Sequence, residues 1–152
     1  YYLVFDYYDP LGYYETIMRY PDLFDEEVLK LSTNMQNFLD NEEVKVNNVK
    51  VRPRVNMIDI GFRGSKHKPY IVFLIRFSAP INKGVNVYEN RYEPEVAEYD
   101  YVAYWSFPLR TKILEVTVGE EYDILRNNIL VLYGRKGMRT LGYEKIVFEI
   151  LE

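Results

Sequence analysis

Cysteine is absent from all 152 residues, which excludes disulfide scaffolds, thiol nucleophiles, zinc fingers and iron–sulfur clusters together. Histidine is nearly absent too. His67 stands alone between Lys66 and Lys68, so a histidine-rich metal centre is impossible, and a Ser–His site has only four serines to draw on. Long apolar runs are also missing: Tyr70 to Ile75 is broken by Arg76, far short of the roughly 20 residues a membrane helix requires. No Asn-x-Ser/Thr sequon occurs, which weakens the case for a heavily glycosylated surface protein. Neither the Walker spacing nor the dinucleotide glycine pattern is present, and no motif implies a cofactor. The first residue is Tyr1 rather than methionine, so the absence of a targeting segment is uninformative and the compartment stays open.

What is present is the composition of one folded domain: 48% hydrophobic, 28% charged and a net charge of −4. Tyrosine is the outlier, with 16 residues against 8 phenylalanines and one tryptophan. Its apolar ring and polar tip suit half-buried positions and interfaces, although AT-rich coding produces the same bias. Scarce glutamine, serine and cysteine lean towards a thermophile's usage, and eleven asparagines lean away from it.

Periodicity divides the chain into a helical segment, 1–41, and a strand-rich remainder, 42–152. Asp9-Pro10 reads as the start of a short helix closing at Tyr20. In a second helix Phe24, Val28, Leu31, Met35 and Phe38/Leu39 form an apolar stripe, with Asp25 as N-cap, Phe24 stapled on Leu29, and Glu26, Glu27 and Lys30 facing elsewhere. Alternating valines around Asn47-Asn48 then predict a tight hairpin. Further strands are predicted at 55–62, 70–78, 85–92, 98–107, 112–118, 128–133 and 143–151. Tyr70 to Ile75 does not alternate and reads as a central strand buried on both faces. Tyr99, Tyr101, Ala103, Trp105 and Phe107 alternate strictly, placing Trp105 in the core and Asp100 in water. Residues 1–8 are strand-like and expected to pair with the sheet or with a neighbouring subunit. The expected fold is mainly β (α+β by content): an antiparallel two-sheet β-sandwich of about seven to nine strands with the N-terminal helical segment packed on it.

Charge is segregated along the chain. Residues 1–50 carry a net −6 and residues 51–83 a net +6, so the mildly acidic total conceals a basic segment. Its members Arg52, Arg54, Arg63, Lys66, His67 and Lys68 are candidates for nucleic acid or phosphate binding. Solvated loop cations complementing the acidic helix are the simpler explanation.

Residues 88–101 mix five carboxylates with four tyrosines around a proline turn. Tyrosine beside acids can stack on and hydrogen-bond a sugar or a basic partner, and loop carboxylates can hold calcium, although the EF-hand spacing is absent and a metal is left open. Pro21-Asp22 with Glu43-Val44-Lys45 matches a metal-dependent nuclease pattern only formally, because those acids do not fall on neighbouring strands. The expected function is a non-enzymatic interaction or assembly module whose partner, another protein or a second copy, meets Tyr88, Tyr92, Glu93, Glu95, Tyr99 and Tyr101. Nucleic-acid or phosphate binding through 52–68 is the alternative, and a carbohydrate-active or metal-dependent hydrolase around 89–100 is the next.

Overall fold

The computed structural model describes residues 1–151. In chain order the elements are β1 (Tyr2–Asp6), α1 (Tyr13–Ile17), α2 (Pro21–Asp40), β2 (Glu43–Val46), β3 (Val49–Lys50), β4 (Arg54–Phe62), β5 (Pro69–Arg76), β6 (Gly84–Arg91), β7 (Asp100–Ser106), β8 (Thr111–Thr117), β9 (Glu121–Leu125), β10 (Ile129–Gly134) and β11 (Tyr143–Ile150). The strands form two antiparallel sheets, a six-stranded one in the order β4-β5-β1-β7-β10-β9 and a five-stranded one in the order β3-β2-β6-β11-β8. The fold is thus the expected two-sheet β-sandwich with helices at its N-terminal end, built from eleven strands rather than nine.

Two strands account for the excess. β9 alternates too little to be read from sequence, because every one of its residues is exposed at the sheet edge. β1 lies inside the larger sheet, between β5 and β7, so the tyrosine-rich N-terminus completes this chain's own sheet. The Asn47-Asn48 hairpin forms as predicted, with φ of 51° and 65°, the left-handed pair that a two-residue turn demands. Asn47 also accepts from Val87 N–H at 2.9 Å and donates to Asn86 Oδ1 at 2.8 Å, tying the turn to β6.

The helices start elsewhere than the caps suggest. α1 begins at Tyr13 because Gly12, at φ 66°, supplies the turn, and Asp9 bonds the helix from outside it, accepting from Tyr14 N–H at 3.0 Å. α2 begins at Pro21, with proline filling a first-turn position that needs no N–H, so Asp25 is interior and Leu29 faces solvent. Glu27, expected on the wet face, is buried and accepts a hydrogen bond from the Tyr14 hydroxyl.

Two apolar clusters divide the inner face of the larger sheet between them. Towards β7 and β10, Ala103, Trp105, Leu130 and Leu132 pack against Val44, Val46, Tyr88, Ile113, Ile146 and Phe148 of the smaller sheet. Trp105 is core as expected, with the Tyr1 ring stacked on it at 4.2 Å. Towards β4 and β5, Ile60, Ile71, Phe73 and Ile75 pack under Phe24, Leu31 and Met35 of α2. Gln36 fastens that helix to the edge strand, its side chain accepting from Val55 N–H at 3.0 Å and donating to Pro53 C=O at 3.2 Å. β5 is therefore covered on one face only, and Tyr70, Val72 and Leu74 stay half-exposed on the other, contrary to the expectation of two buried faces. The helix and the smaller sheet each cover part of one wide sheet, and a cleft is left at the seam between them.

Candidate binding cleft

The cleft has a volume of about 570 Å³, within the range of small-molecule sites. One wall is α2, the opposite wall is the loop 92–99, and the inner faces of the two sheets lie beneath. Alternation explains what sits on the floor. Val44 and Val46 point into the sandwich from β2, so two residues earlier Glu42 falls on the same side. Asn90 shares the inward phase of Asn86 and Tyr88 on β6, and Glu144 that of Ile146 and Phe148 on β11. Register places Asn90 directly opposite both Val44 and Glu144, which gathers the three polar residues at one end of the smaller sheet.

Glu120, in the turn between β8 and β9, completes the group. Its Oε1 accepts from the Tyr101 hydroxyl at 2.6 Å, and Asn90 Nδ2 donates to Glu42 Oε2 at 3.0 Å. Asn90 is 4% exposed and Glu120 8% exposed, yet Asn90 Oδ1 and Glu120 Oε2 have no hydrogen-bond partner. Among the described residues only one other buried side-chain atom is left in that state, Thr111 Oγ1, so unsatisfied acceptors concentrate here. An unpaired buried polar atom costs about 1–3 kcal/mol, which singles the floor out from the rest of the interior.

Burial shapes the acidities first. It raises the Glu144 carboxyl, and repulsion from Glu120 and Glu42 raises it further against a hydrogen bond from Asn90, to about 8. Glu42 is pushed up to about 7, again mainly by burial, with Glu95 adding to it and the Asn90 bond opposing. The Tyr92 and Tyr101 hydroxyls are pushed well above their ordinary range by burial, Tyr101 also by its bond to Glu120. Tyr7, desolvated at the other end, is pushed up to about 12. The tyrosines therefore act as neutral donors and ring faces, and the protons that can move belong to the glutamates.

The wall opposite α2 is held in place rather than loose. Thr140 Oγ1 accepts from Glu95 N–H at 2.9 Å, Ala97 N–H donates to Met138 C=O at 2.8 Å, and Tyr92 N–H donates to Gly142 C=O at 3.1 Å. Gly142 permits this approach at φ 77°, where an added Cβ would stand 2.6 Å from Pro94 Cγ. Gly134 performs the same service for the floor: its missing Cβ leaves the space occupied by the Tyr101 ring.

The residues singled out from sequence separate accordingly. Tyr92, Glu95, Tyr99 and Tyr101 all line the cleft, with Tyr99 and Tyr7 rings 4.5 Å apart at its mouth. Tyr88 is 2% exposed, packed on Trp105 at 4.7 Å in the sandwich core, and out of reach of a partner. Glu93 is exposed outside the cleft. The basic set is divided by its own strand: Arg52 and Arg54 lie at the start of the nine-residue β4, and Arg63, Lys66, His67 and Lys68 at its end, roughly 25 Å away. Arg63 pairs with Asp6 at 2.9 Å and covers the Tyr70 ring, while the His67 ring nitrogen Nδ1 meets Asp9 C=O at 3.1 Å.

Among the described residues no group of three or more histidine or carboxylate side chains converges closely enough to hold a metal ion, and no helix is long and apolar enough to cross a membrane. No protein-family model, no curated protein and no solved structure matches this chain.

Proposed function

We propose that this domain is a non-enzymatic binding module that receives a small polar ligand in the cleft between α2 and the loop 92–99. The observation that carries the reading is the pair of buried acceptors, Asn90 Oδ1 and Glu120 Oε2, left without partners on the floor of a cavity large enough for a ligand. Tyr92, Glu95, Glu98, Tyr99 and Tyr101 of the stretch 88–101 take part, as part of the cleft's lining. Binding through 52–68 has less support, since those cations are split between the two ends of β4 and partly engaged within the fold. Sugar hydrolysis keeps one point in its favour, the raised carboxyls of Glu42 and Glu144, which could serve as proton donors.

A thermal-shift panel of amines, amino acids and saccharides tests the reading. A ligand present at 100 times its dissociation constant stabilises the fold by about 2.7 kcal/mol, and that gain should vanish in Asn90→Leu. A panel without a single stabilising member, or stabilisation that survives Asn90→Leu, overturns it.

A further inference from the structure

The balance of donors and acceptors in the cleft specifies the chemistry of what fits. Six carboxylates line it, those of Glu27, Glu42, Glu95, Glu98, Glu120 and Glu144, against the single cation of Lys30. Three of the site's donors are already engaged by its own acids: Tyr101 by Glu120, Tyr14 by Glu27 and Asn90 Nδ2 by Glu42. Its unfilled positions, Asn90 Oδ1 and Glu120 Oε2, are both acceptors. A guest must therefore bring hydrogens and positive charge. Phosphates and carboxylates are turned away, and a neutral polyol would leave the excess negative charge of the lining uncompensated.

A bare divalent cation is a poor fit as well. Calcium and magnesium require oxygens converging to within about 2.0–2.6 Å of one point, and among the described residues no three carboxylates converge in that way. An ammonium differs: it reaches its acceptors at about 2.8 Å in three separate directions, and an alkyl chain behind it can lie on aromatic walls. Those walls are here, in Tyr7 and Tyr99 at the mouth and Tyr92 and Tyr101 within, whose ring faces attract cations.

Resting on the reading of the cleft as a binding site, we infer that its ligand is an organic cation, an alkylamine whose ammonium group sits among Glu42, Glu120, Glu144 and Asn90 Oδ1 with its carbon chain along the tyrosines. Entry of the cation has a proton cost that can be measured. The groups facing Glu144 are Glu42 from the α2–β2 link, Glu120 from the β8–β9 turn and Asn90 from β6, with the neutral hydroxyls of Tyr1, Tyr88, Tyr92 and Tyr101 around them, and none of these is cationic. The protons held on Glu144 and Glu42 in the empty site leave to solvent when the ammonium takes their place, so affinity rises with pH through neutrality.

Isothermal titration of the full chain with spermidine near neutral pH, in phosphate and in the zwitterionic buffer MOPS, is the test, with sucrose as the neutral comparison. The expected result is a single site with proton release shown by different heats in the two buffers, no response to sucrose, and affinity lowered about tenfold or more in both Glu120→Gln and Glu144→Gln. Sucrose binding without spermidine binding overturns the cation and leaves the cleft as a binding site. Silence from both ligands, together with an empty thermal-shift panel, removes both conclusions. Spermidine affinity unchanged in both variants means it binds the acidic exterior, and the inference fails. Should Glu144→Gln not fold, Glu120→Gln and the two-buffer comparison on the wild-type chain still separate these outcomes.

Discussion

Glu144→Gln should make this protein more stable at neutral and mildly alkaline pH, and the reason can be worked from its surroundings. In the unfolded chain the carboxyl titrates at its ordinary 4.5, whereas in the fold burial, followed by repulsion from Glu120 and Glu42, pushes it up to about 8. Between those two values the folded state holds a proton that the unfolded state has released. Unfolding then liberates a proton, so stability falls as pH rises across the window and levels off above the folded value. Each pH unit in the window costs about 1.4 kcal/mol, which for Glu144 alone accumulates to roughly 3–5 kcal/mol once the response is shared with the neighbouring glutamates. Glu42, raised to about 7, adds a decline of the same sign over the lower part of the range. Glutamine keeps the shape and cannot ionise, so the variant should show a much flatter profile, matching the wild type near pH 5 and exceeding it near pH 8 by roughly 3 kcal/mol or more. Urea denaturation at one-unit steps across that range is the assay. A wild-type stability that climbs with pH, or a Glu144→Gln profile as steep as that of the wild type, would refute the burial of an uncompensated acid cluster.

Two further outcomes test the frame around the cleft. Trp105→Ala removes the ring on which Tyr1 and Tyr88 pack at 4.2 and 4.7 Å, and should lower stability by about 3–5 kcal/mol in the same denaturation assay; a loss below about 1 kcal/mol would mean the sandwich core closes without it. Gly134→Ala places a methyl 2.1 Å from the Tyr101 ring, so the ring that bonds Glu120 must shift, with an expected cost of about 1–3 kcal/mol and a weakened ligand response. A variant with unaltered stability and binding would show that the Tyr101 position does not matter.

Much of the fold is legible because the physics behind it is local. The Asn47-Asn48 turn, the period of β7 and the apolar stripe of α2 each announce themselves within a few residues. Cap signals mislead where a tertiary group does the capping: Asp9 serves α1 from outside the helix, and Pro21 opens α2 ahead of the acidic run that resembles its start. The stretch 88–101 is conspicuous for its chemistry, but the side it faces is not legible, because tyrosine at alternate positions reads the same whether its ring meets solvent or lines a cavity.

Glu42, Asn90 and Glu144 nevertheless leave a trace. Each is a polar residue standing at the inward phase of a strand, or for Glu42 just ahead of one, whose other inward residues are apolar or buried, and a polar group in that phase must be paired within the fold or serve something that enters it. Glu120, in a turn, leaves none. What no local pattern can reveal is why those positions fall in one place. The insertion of β1 between β5 and β7 widens one sheet to six strands, the five-stranded partner covers only part of it, and α2 covers the remainder, so the inward-phase acids emerge at the unsealed seam. The site is thus a consequence of strand order, a long-range property, written over residues whose individual oddness is visible in the sequence.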